Sequence, residues 1–511
     1  MFSDGPSLNT SLIIIAAYLL LTLGIGLYAA RSVKTLADYI LAGRTLPLWL
    51  VMPTTFALWF GAETIIGASG AIATQGIGWD VMVDPIGAAM ALMIYGLFFA
   101  RPLYRTGNLT IMDFYVDRYG YPTGMIASAI TAPSYTFWVG GQLFAFGLVL
   151  DHLFHIGLYP SIMIGSILII FYTFRGGLIA ITITEFIEMI VLVACLTFAF
   201  FMMTNEIGLS TAVNRFVDDG MADVFASVRP ETSSSGRWTL GLLEFMALLL
   251  AVGAGSLPSQ DLYERANSGK TETVGAWGMM GGSIMYLVFG AIPLLMGVMA
   301  YDYFGPENVH AMEDNLIFNL VDEFGGWAAI AFYAALISAL LSTASASILA
   351  PSVLISMNIL KPLMPGRTDR QYLRMTRYVV AVFAVFSMLL ALTEIGIHDL
   401  VEIASAITLV SVVVPLTAGL YWKRATRRGA IWAMASGLSV YLLLSLLSLY
   451  QSTQGIGMQG GQPLSDWAGY AWLVDASGSA DLGWFLPPSM MGLFTSIIAM
   501  AIGSLWPRKR G

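Results

Sequence analysis

Long apolar runs dominate this sequence, and they constrain the fold more than any single motif does. A helix that crosses a lipid bilayer needs ~20 consecutive, mostly apolar residues. Only 11% of the residues are charged, whereas a soluble domain carries roughly 25%. We therefore predict one all-α membrane domain, residues 1–511, with about thirteen transmembrane helices. The predicted spans are 8–30, 46–75, 78–104, 122–150, 158–174, 177–204, 237–260, 272–301, 324–357, 371–393, 399–421, 427–450 and 484–507.

The Lys and Arg residues are distributed unevenly among the loops between these runs. If the N-terminus lies outside, the cytoplasmic connections and the C-terminus contain 21 of the 24 Lys and Arg residues, and only Arg215, Arg229 and Arg237 lie outside. Short cytoplasmic loops of membrane proteins are enriched in Lys and Arg. The N-terminal residues lack the basic region of a signal peptide. We therefore predict a multi-pass protein of the cell inner membrane, with its N-terminus outside and its C-terminus in the cytoplasm.

The sequence lacks the residues that several classes of protein function would need. The single cysteine, Cys195, cannot form an internal disulfide, and no spacing of Cys and His is typical of a metal site. The four histidines, His152, His155, His310 and His398, fall in or beside predicted outside loops, which disfavours a buried haem or a Ser-His hydrolase. No Walker A sequence is present, and the net charge of −8 is not typical of nucleic-acid binding. We therefore expect no enzyme, no nucleic-acid partner and no obligatory protein partner, and transport driven by an ion gradient or by simple facilitation.

Two of the predicted spans contain helix breakers near their middle. A break inside lipid exposes backbone polar groups, so it is tolerated only where protein or water satisfies them. Gly and Pro are also frequent in ordinary membrane helices, which is the alternative interpretation. The breakers are Pro53, Gly61, Gly67 and Gly70 in span 46–75, and Gly253, Gly255 and Pro258 in span 237–260.

The two interrupted spans are five spans apart along the chain. Transporters with inverted repeats place a broken helix at corresponding positions of both halves, with the binding site between them. Because five is odd, two such repeats would have opposite topologies. We therefore predict a first repeat at 46–204 and a second at 237–421, with peripheral helices at 8–30 and 427–507.

Two adjacent hydroxyl residues, Ser342 and Thr343, lie in the middle of predicted span 324–357. A small monovalent cation is held in proteins by several oxygen ligands, many of them neutral. The two hydroxyls, the Ala339 carbonyl one turn earlier, and the Ala57 and Phe60 carbonyls of the first broken span would supply such ligands. The alternative is that these small residues only pack against other helices or bond to their own i−4 carbonyls.

Ionisable residues inside a membrane are costly and usually functional. Glu63 and Asp84 flank the break in the first interrupted span and the start of the next one, where either could hold a substrate ammonium or hydroxyl. The alternative for Asp84 is a solvated position at an extracellular helix start. Asp261 and Glu264 lie with Arg265 at a predicted cytoplasmic exit, which favours a gate or a surface salt bridge over substrate contact. The intramembrane candidates are Glu63, Asp84, Glu185, Glu188, Glu244 and Asp261.

Two tryptophans are candidates for the walls of a binding site. Trp59 lies at the break in the first interrupted span, and Trp138 lies in predicted span 122–150. Aromatic walls suit a cation or an apolar body. The alternative, packing in the core or against lipid, accounts for most of the 13 tryptophans.

The order and spacing of several short motifs resemble those of the sodium/solute symporter family. The resemblance covers nearly the whole chain, and it implies a LeuT-type fold with one helix before the repeats and two after them. The motifs are Ala42–Pro47, Ala62-Glu63 with Ile66-Gly67 and Ser69-Gly70, Gly176-Gly177-Leu178 followed by Thr184-Glu185, Gln260 with Glu264-Arg265, and Ser342-Thr343.

The resemblance also implies functional residues, with sodium as the coupling ion. A second sodium site of the family, built from an Asp and two hydroxyls, becomes Glu185, Ser345 and Ala346 in this chain. This departure leaves Glu185 and Ser345 as a second ion site, or Glu185 as a proton relay. The family's conserved-type site maps onto the carbonyls of Ala57, Phe60 and Ala339 and the hydroxyls of Ser342 and Thr343.

Two further motifs, at 96–102 and 110–113, look like the choline-transporter branch, in which an aromatic box surrounds a quaternary ammonium. Trp59 and Trp138 match two box positions, but two others are Ala88 and Ser259, which cannot form walls. Glu63 resembles the acid of the sugar and sialate branch. We therefore expect an amine-bearing solute rather than choline itself. The expected substrate contacts are Trp59, Glu63, Thr64, Asp84, Trp138, Gln142 and Ser259.

Together these features predict sodium-coupled symport of a small organic solute across a lipid bilayer by alternating access. The alternative is a proton-coupled transporter of the same fold for an organic acid, amino acid or sugar, with Glu185 or Asp84 carrying the proton. A membrane sensor, a membrane enzyme and a channel are weaker alternatives. The chain ends at Gly511 directly after the last predicted span, so we expect no signalling module, and no buried nucleophile–base set is evident.

Overall fold

The computed structural model describes residues 8–29, 31, 33, 35–78, 83–224, 238–312, 315–393, 397–453, 458–459, 462–463, 471–473 and 484–506. Regular structure within these ranges is helical, apart from two small antiparallel hairpins. The hairpins pair β1 (Met458–Gln459) with β2 (Gln462–Pro463) and β3 (Ala471–Leu473) with β4 (Trp484–Leu486). The predicted all-α class is confirmed.

The helices follow the apolar runs closely. In the first part of the chain they are α1 (Leu8–Ala29), α2 (Leu36–Leu41), α3 (Leu48–Ala57), α4 (Ala68–Gln75), α5 (Val83–Ile94), α6 (Ala100–Thr106), α7 (Ile111–Tyr119), α8 (Tyr121–Phe154), α9 (Leu158–Ile207) and α10 (Leu209–Asp218). A 3₁₀ turn at Ala42–Arg44 and π-helical segments at Glu63–Gly67 and Tyr95–Phe99 lie between them.

The second part of the chain repeats this pattern of long helices joined by short ones. Its helices are α11 (Trp238–Gly255), α12 (Gln260–Ser268), α13 (Glu272–Phe304), α14 (Pro306–Met312), α15 (Leu316–Phe324), α16 (Gly326–Leu354), α17 (Lys361–Leu363), α18 (Asp369–Ala391), α19 (Ile397–Thr408), α20 (Val414–Tyr421), α21 (Arg427–Thr453) and α22 (Pro488–Leu505). Further π-helical segments occupy Ile355–Leu360 and Leu409–Val413.

Nine helices within the described ranges are long and apolar enough to cross a bilayer, or ten if α11 and α12 together form one span. Three shorter apolar helices, Ile13–Ala29, Leu48–Ala57 and Leu158–Phe171, fall in three other predicted runs. The chain is therefore a multi-pass membrane protein. The total of thirteen spans stays a prediction.

A kink in α9 separates two of the predicted spans. The helix continues through Gly177, whose φ of 55° lies in the left-handed region. A Cβ atom at this position would also lie 2.4 Å from the ring of Tyr39. Glycine is therefore required here both for the backbone conformation and for the close approach of α2.

Both predicted helix breaks are present. The first separates α3 from the π-helical segment before α4, and residues 60 and 61 within it are not helical. The second bends the chain by 47° between α11 and α12. Our predicted boundary of 260 for this span is wrong, since the chain resumes as α12, and all nine residues of α12 are buried.

Helix α16 forms the centre of the bundle. It packs against α8 and α9 and also contacts α3 and α12. In the most apolar 18-residue stretch of this span, 89% is buried inside the protein. Its Ala- and Ser-rich sequence allows this, because small side chains let neighbouring helices approach closely. The central position places Ser342 and Thr343 inside protein rather than against lipid.

The start of α3 and the end of α12 are joined by backbone hydrogen bonds. The Leu46 N–H donates to the Ser268 carbonyl at 3.0 Å, and the Lys270 N–H donates to the Leu46 carbonyl at 2.9 Å. These bonds connect the half-helix before the first break, α3, to the half-helix after the second break, α12.

Candidate ion and solute sites

The end of α3 and the middle of α16 bring four oxygen atoms together. Ser342 Oγ donates to the Ala57 carbonyl at 3.0 Å and lies 2.9 Å from the Ala339 carbonyl. Thr343 Oγ1 lies 3.4 Å from the same Ala57 carbonyl. All four residues are buried. Only two hydroxyl hydrogens are therefore available for the three contacts. A bound cation could take the place of these hydrogens and be coordinated by the lone pairs of the oxygen atoms.

The contacts of Phe60, the fifth expected ligand, are made by its ring. The ring packs against Phe56 and Tyr286, with centroid distances of 4.8 and 5.4 Å, and the described contacts of the oxygen cluster do not include its carbonyl. In the described ranges no three His, Cys, Asp or Glu side chains are grouped to hold a metal ion. The cluster thus offers neutral oxygens, which suit a monovalent cation better than a divalent one.

Gly61 brings this cluster close to a second polar group. A Cβ atom at Gly61 would lie 3.2 Å from Thr343 Oγ1, 2.7 Å from Gln142 Oε1 and 2.9 Å from Glu63 Oε2. Gln142 Nε2 in turn donates to Glu63 Oε2 at 2.6 Å. The absence of a side chain at the break therefore allows α8 and α16 to approach the backbone of the first broken helix.

We expect Gly61→Ala to weaken sodium binding and to destabilise the protein by about 1–3 kcal/mol, because overpacking displaces Gln142 or Thr343. The measurement is a sodium titration followed by thermal unfolding. The matched control is Gly24→Ala in α1, where a Cβ atom meets nothing within 4 Å. An unchanged sodium response in Gly61→Ala would argue against an ion next to Thr343.

A small cavity lies on the other side of Trp59, between the two breaks. Its volume is about 40 Å³, which admits a water molecule or two but no organic solute. The site must therefore widen before a solute binds. The cavity is lined by Trp59, by Thr131, Ser134, Tyr135 and Trp138 of α8, by Gly255, Ser256, Ser259 and Asp261 around the second break, and by Ala404, Ser405 and Thr408 of α19.

A carboxylate with aromatic donors forms one end of this cavity. Asp261 Oδ2 accepts a hydrogen bond from Trp59 Nε1 at 2.8 Å, and Oδ1 accepts one from the Tyr135 hydroxyl at 2.6 Å. The backbone N–H of Leu262 donates to Oδ1 as well. The ring of Trp138 lies 5.9 Å from that of Trp59, inclined by 46°. The arrangement combines a negative charge with two indole faces.

The surface salt bridge predicted for Asp261 and its neighbours is therefore wrong, whereas a gate at this position stays a prediction. The sequence favoured a gate or surface salt bridge at a cytoplasmic exit, but Asp261 is only 3% exposed and contacts the cavity. Glu264 is also buried and accepts from Gln260 Nε2 at 3.0 Å. The physical reason is the second half of the broken helix, which carries these charged residues back into the bundle.

Arg265 forms a buried ion pair with Glu185, a candidate for the second ion site. Arg265 Nη2 lies 2.5 Å from Glu185 Oε1, and Nη1 donates to Thr182 Oγ1 at 2.7 Å. Ser345, the other candidate, donates to the Ser342 carbonyl at 3.1 Å. The Arg265 guanidinium thus already supplies, at Glu185, the positive charge that a second ion would supply.

The seven expected substrate residues do not share one site. Trp59, Trp138 and Ser259 line the cavity, and Ser259 Oγ contacts the Ser256 carbonyl. Glu63 and Gln142 lie beside Gly61, whereas Thr64 donates to Asp84 at 2.9 Å. The alternative of a solvated Asp84 is wrong, since this side chain is 6% exposed.

The predicted site residues did not include Tyr135, Ser405 and Thr408, which line the cavity, or Tyr286, which contacts Thr64. The spacing of Tyr135, Trp138 and Gln142 at three and four residues could have indicated one face of α8. No comparable spacing in the sequence indicates Thr408 as a site residue. Its hydroxyl donates to the Gly255 carbonyl at 2.6 Å, which satisfies a group freed by the second break.

Comparisons with known proteins agree with this architecture. The model of the sodium:solute symporter family matches residues 39–437 of the 511. The high-affinity choline transporter 1 of Drosophila melanogaster is 26% identical over 89% of this chain and 72% of its own. The sodium/glucose cotransporter of Vibrio parahaemolyticus is 24% identical over 86% of this chain and 85% of its own.

A solved structure of a Na⁺-coupled sialic acid symporter, in a substrate-bound outward-open state, has the same fold. It superposes with a TM-score of 0.73 at 18% sequence identity and covers 97% of each chain. This similarity confirms the expected LeuT-type fold. With a family model that spans most of the residues, the chain belongs to the sodium:solute symporter family, whose members are transporters with sodium as the coupling ion.

Proposed function

We propose that this protein imports a small organic solute with a cationic amine, together with sodium, by alternating access. The observation that carries the proposal is the buried carboxylate of Asp261 at the end of an aromatic cavity. Its hydrogen-bond donors are Trp59, Tyr135 and a backbone amide, all of them neutral. Throughout the described ranges, no Lys, Arg or His side chain forms a salt bridge with it.

The charge of Asp261 favours a cationic ligand. Burying a carboxylate is costly unless hydrogen bonds and a counter-charge compensate it. An ammonium group in the widened cavity would supply that charge, and the indole faces of Trp59 and Trp138 would add cation–π attraction. The choline transporters similar to this chain support the same ligand class. Ala88 and Ser259, too small for box walls, leave the carboxylate as the main recognition element.

For sodium, we propose the cluster of Ala57, Ala339, Ser342 and Thr343, completed by the Phe60 carbonyl. The cluster joins the end of α3 to α16, so ion binding would hold the first break in a defined conformation. Because Trp59 lies within the break, the same ordering would place its indole against Asp261. Arg265 already pairs with Glu185, which favours one sodium per cycle over two.

The proposed architecture has thirteen spans, with inverted repeats at 46–204 and 237–421. The N-terminus would lie outside and the C-terminus in the cytoplasm of a cell inner membrane, as the Lys and Arg distribution indicates. The hydrogen bond from Trp59 to Asp261 supports this architecture, because it joins the first break to the residues that follow the second.

A thermal-shift screen of purified protein tests the solute class. We expect primary and quaternary amines to raise the melting temperature in sodium but not in potassium, because solute and sodium binding are coupled. Neutral sugars and organic acids of similar size serve as controls. Stabilisation by acids or sugars but by no amine would refute the proposed role of Asp261.

A further inference from the structure

A groove of about 590 Å³ runs along α18 on the surface of the helix bundle. This volume is within the range of about 300–1,000 Å³ that ligand pockets have. One wall is a single face of α18, because its residues recur at intervals of three and four. The opposite wall, formed by Ile355, Leu360 and Met364, is apolar, so this part of the groove favours a hydrocarbon. The six apolar residues of the α18 wall are Met375, Tyr378, Val379, Val382, Phe383 and Phe386.

The groove has a cationic end where α18 begins. Arg374 and Gln371 continue the same face of α18 by one more turn, and Arg367 lines the groove from the loop before the helix. Both arginines are exposed, and in the part of the chain that the structure describes neither forms a salt bridge. The acid between them in sequence, Asp369, lies in the first turn of α18 but does not line the groove. Two guanidinium groups are therefore available to an anion.

The two ends of the groove lie at different depths of the bilayer. The candidate membrane span Asp369–Ala391 begins beside the arginines, so these lie near the bilayer surface and the apolar wall lies within the hydrocarbon core. From Met375 to Phe386 the helix rises by about 16 Å, which is about half of the ~30 Å core and therefore one leaflet. Tyr378 and Phe386 are each 61% exposed, so the bundle leaves this wall open to lipid. The groove thus has the polarity and the length of a lipid molecule in one leaflet.

We propose that this groove binds a phospholipid with a negatively charged headgroup, whose phosphate contacts Arg367 and Arg374 and whose acyl chain follows α18. Guanidinium groups pair with phosphate oxygens through two parallel hydrogen bonds, and basic pockets between membrane helices bind anionic lipid headgroups. The arginines select for negative charge, and the two apolar walls hold the chain. The groove shares no residue with the cavity at Asp261, so the lipid site does not depend on which solute is transported.

Native mass spectrometry of the purified protein, depleted of lipid and titrated with phosphatidylglycerol, tests the headgroup contacts. We expect Arg367→Gln with Arg374→Gln to weaken lipid binding about 30-fold, which corresponds to about 2 kcal/mol. The control pair, Arg101→Gln with Arg370→Gln, removes two exposed arginines that do not line the groove, and it should bind the lipid as the wild type does. Equal affinities of the two pairs for phosphatidylglycerol would overturn the proposal.

A second pair of variants tests the apolar wall, and thermal unfolding checks that each variant is folded. Val382→Trp fills the groove, so we expect phosphatidylglycerol to bind about tenfold more weakly. Val385→Trp, at an exposed position of α18 outside the groove, should bind it as the wild type does. The proposal is wrong if phosphatidylcholine or soluble glycerol phosphate binds as tightly as phosphatidylglycerol. It is also wrong if Val382→Trp converts a lipid-free dimer to a monomer, because a second copy of the chain would then occupy the groove.

Discussion

Asp261→Asn is expected to lower the apparent affinity for a cationic solute by roughly 100-fold or more. Removing one partner of a buried charge pair costs about 3–5 kcal/mol, and 1.4 kcal/mol corresponds to about a factor of ten in affinity. Asparagine also presents an N–H₂ group to one of the two donors, Trp59 or Tyr135. Sodium-driven uptake of an amine into proteoliposomes measures the effect as a rise in KM.

The control for this variant is Glu264→Gln, three residues further along the same buried helix. Glu264 is also a buried carboxyl group and accepts from Gln260, but it does not line the cavity. We expect it to retain the wild-type KM. Sodium-induced thermal stabilisation of Asp261→Asn checks that the variant still folds. Amine uptake with an unchanged KM in Asp261→Asn would rule out the carboxylate as the recognition element.

The double variant Ser342→Ala with Thr343→Ala is expected to abolish sodium-dependent uptake. Hydrogen bonds to charged groups contribute about 1.5–3 kcal/mol each. If a hydroxyl ligand of sodium contributes similarly, losing two weakens sodium binding by roughly 100-fold or more. Only the Ala57 and Ala339 carbonyls of the observed cluster remain in this variant. Uptake measured as a function of external sodium reports the loss.

A serine on the same helix provides the control for this experiment. Ser352 is buried in α16, and its hydroxyl donates to its own i−4 carbonyl, that of Ile348, at 2.7 Å. We expect Ser352→Ala to keep the sodium dependence of the wild type. If the double variant responds to sodium as the wild type does, the ion binds elsewhere. By linkage, solute affinity in the double variant should no longer depend on sodium.

The features that sequence analysis predicted correctly are those with a local physical cause. Helix breakers at Gly61 and Gly255 disrupt a helix wherever it packs, so both breaks could be located from composition alone. The adjacent Ser342 and Thr343 were identified by their two hydroxyls, and both lie buried beside the Ala57 carbonyl, while their role as ion ligands stays a prediction. Trp59 and Trp138 were identified by their aromatic rings, and these rings lie together.

The position of Asp261 could not be predicted from its local sequence. A stretch with three charged residues within five positions, Asp261 to Arg265, is typical of a solvated loop. In the fold, Asp261 accepts hydrogen bonds from Trp59 and Tyr135. Glu264 accepts one from Gln260, one turn earlier, and Arg265 forms an ion pair with Glu185. No local pattern indicates Trp59, Tyr135 or Glu185, because they come from the first break, α8 and α9.

The sequence by itself determined that the chain lies mostly in lipid, its helical class and the two breaks, since these follow from apolar run length and backbone freedom. Only the tertiary structure decided which polar groups share a site. It brought Asp261 to Trp59, placed Arg265 on Glu185, and aligned Asp84, Thr64 and Tyr286 toward one carbonyl. These pairings depend on how distant helices pack, and buried polar groups are stable only in the packing that satisfies them.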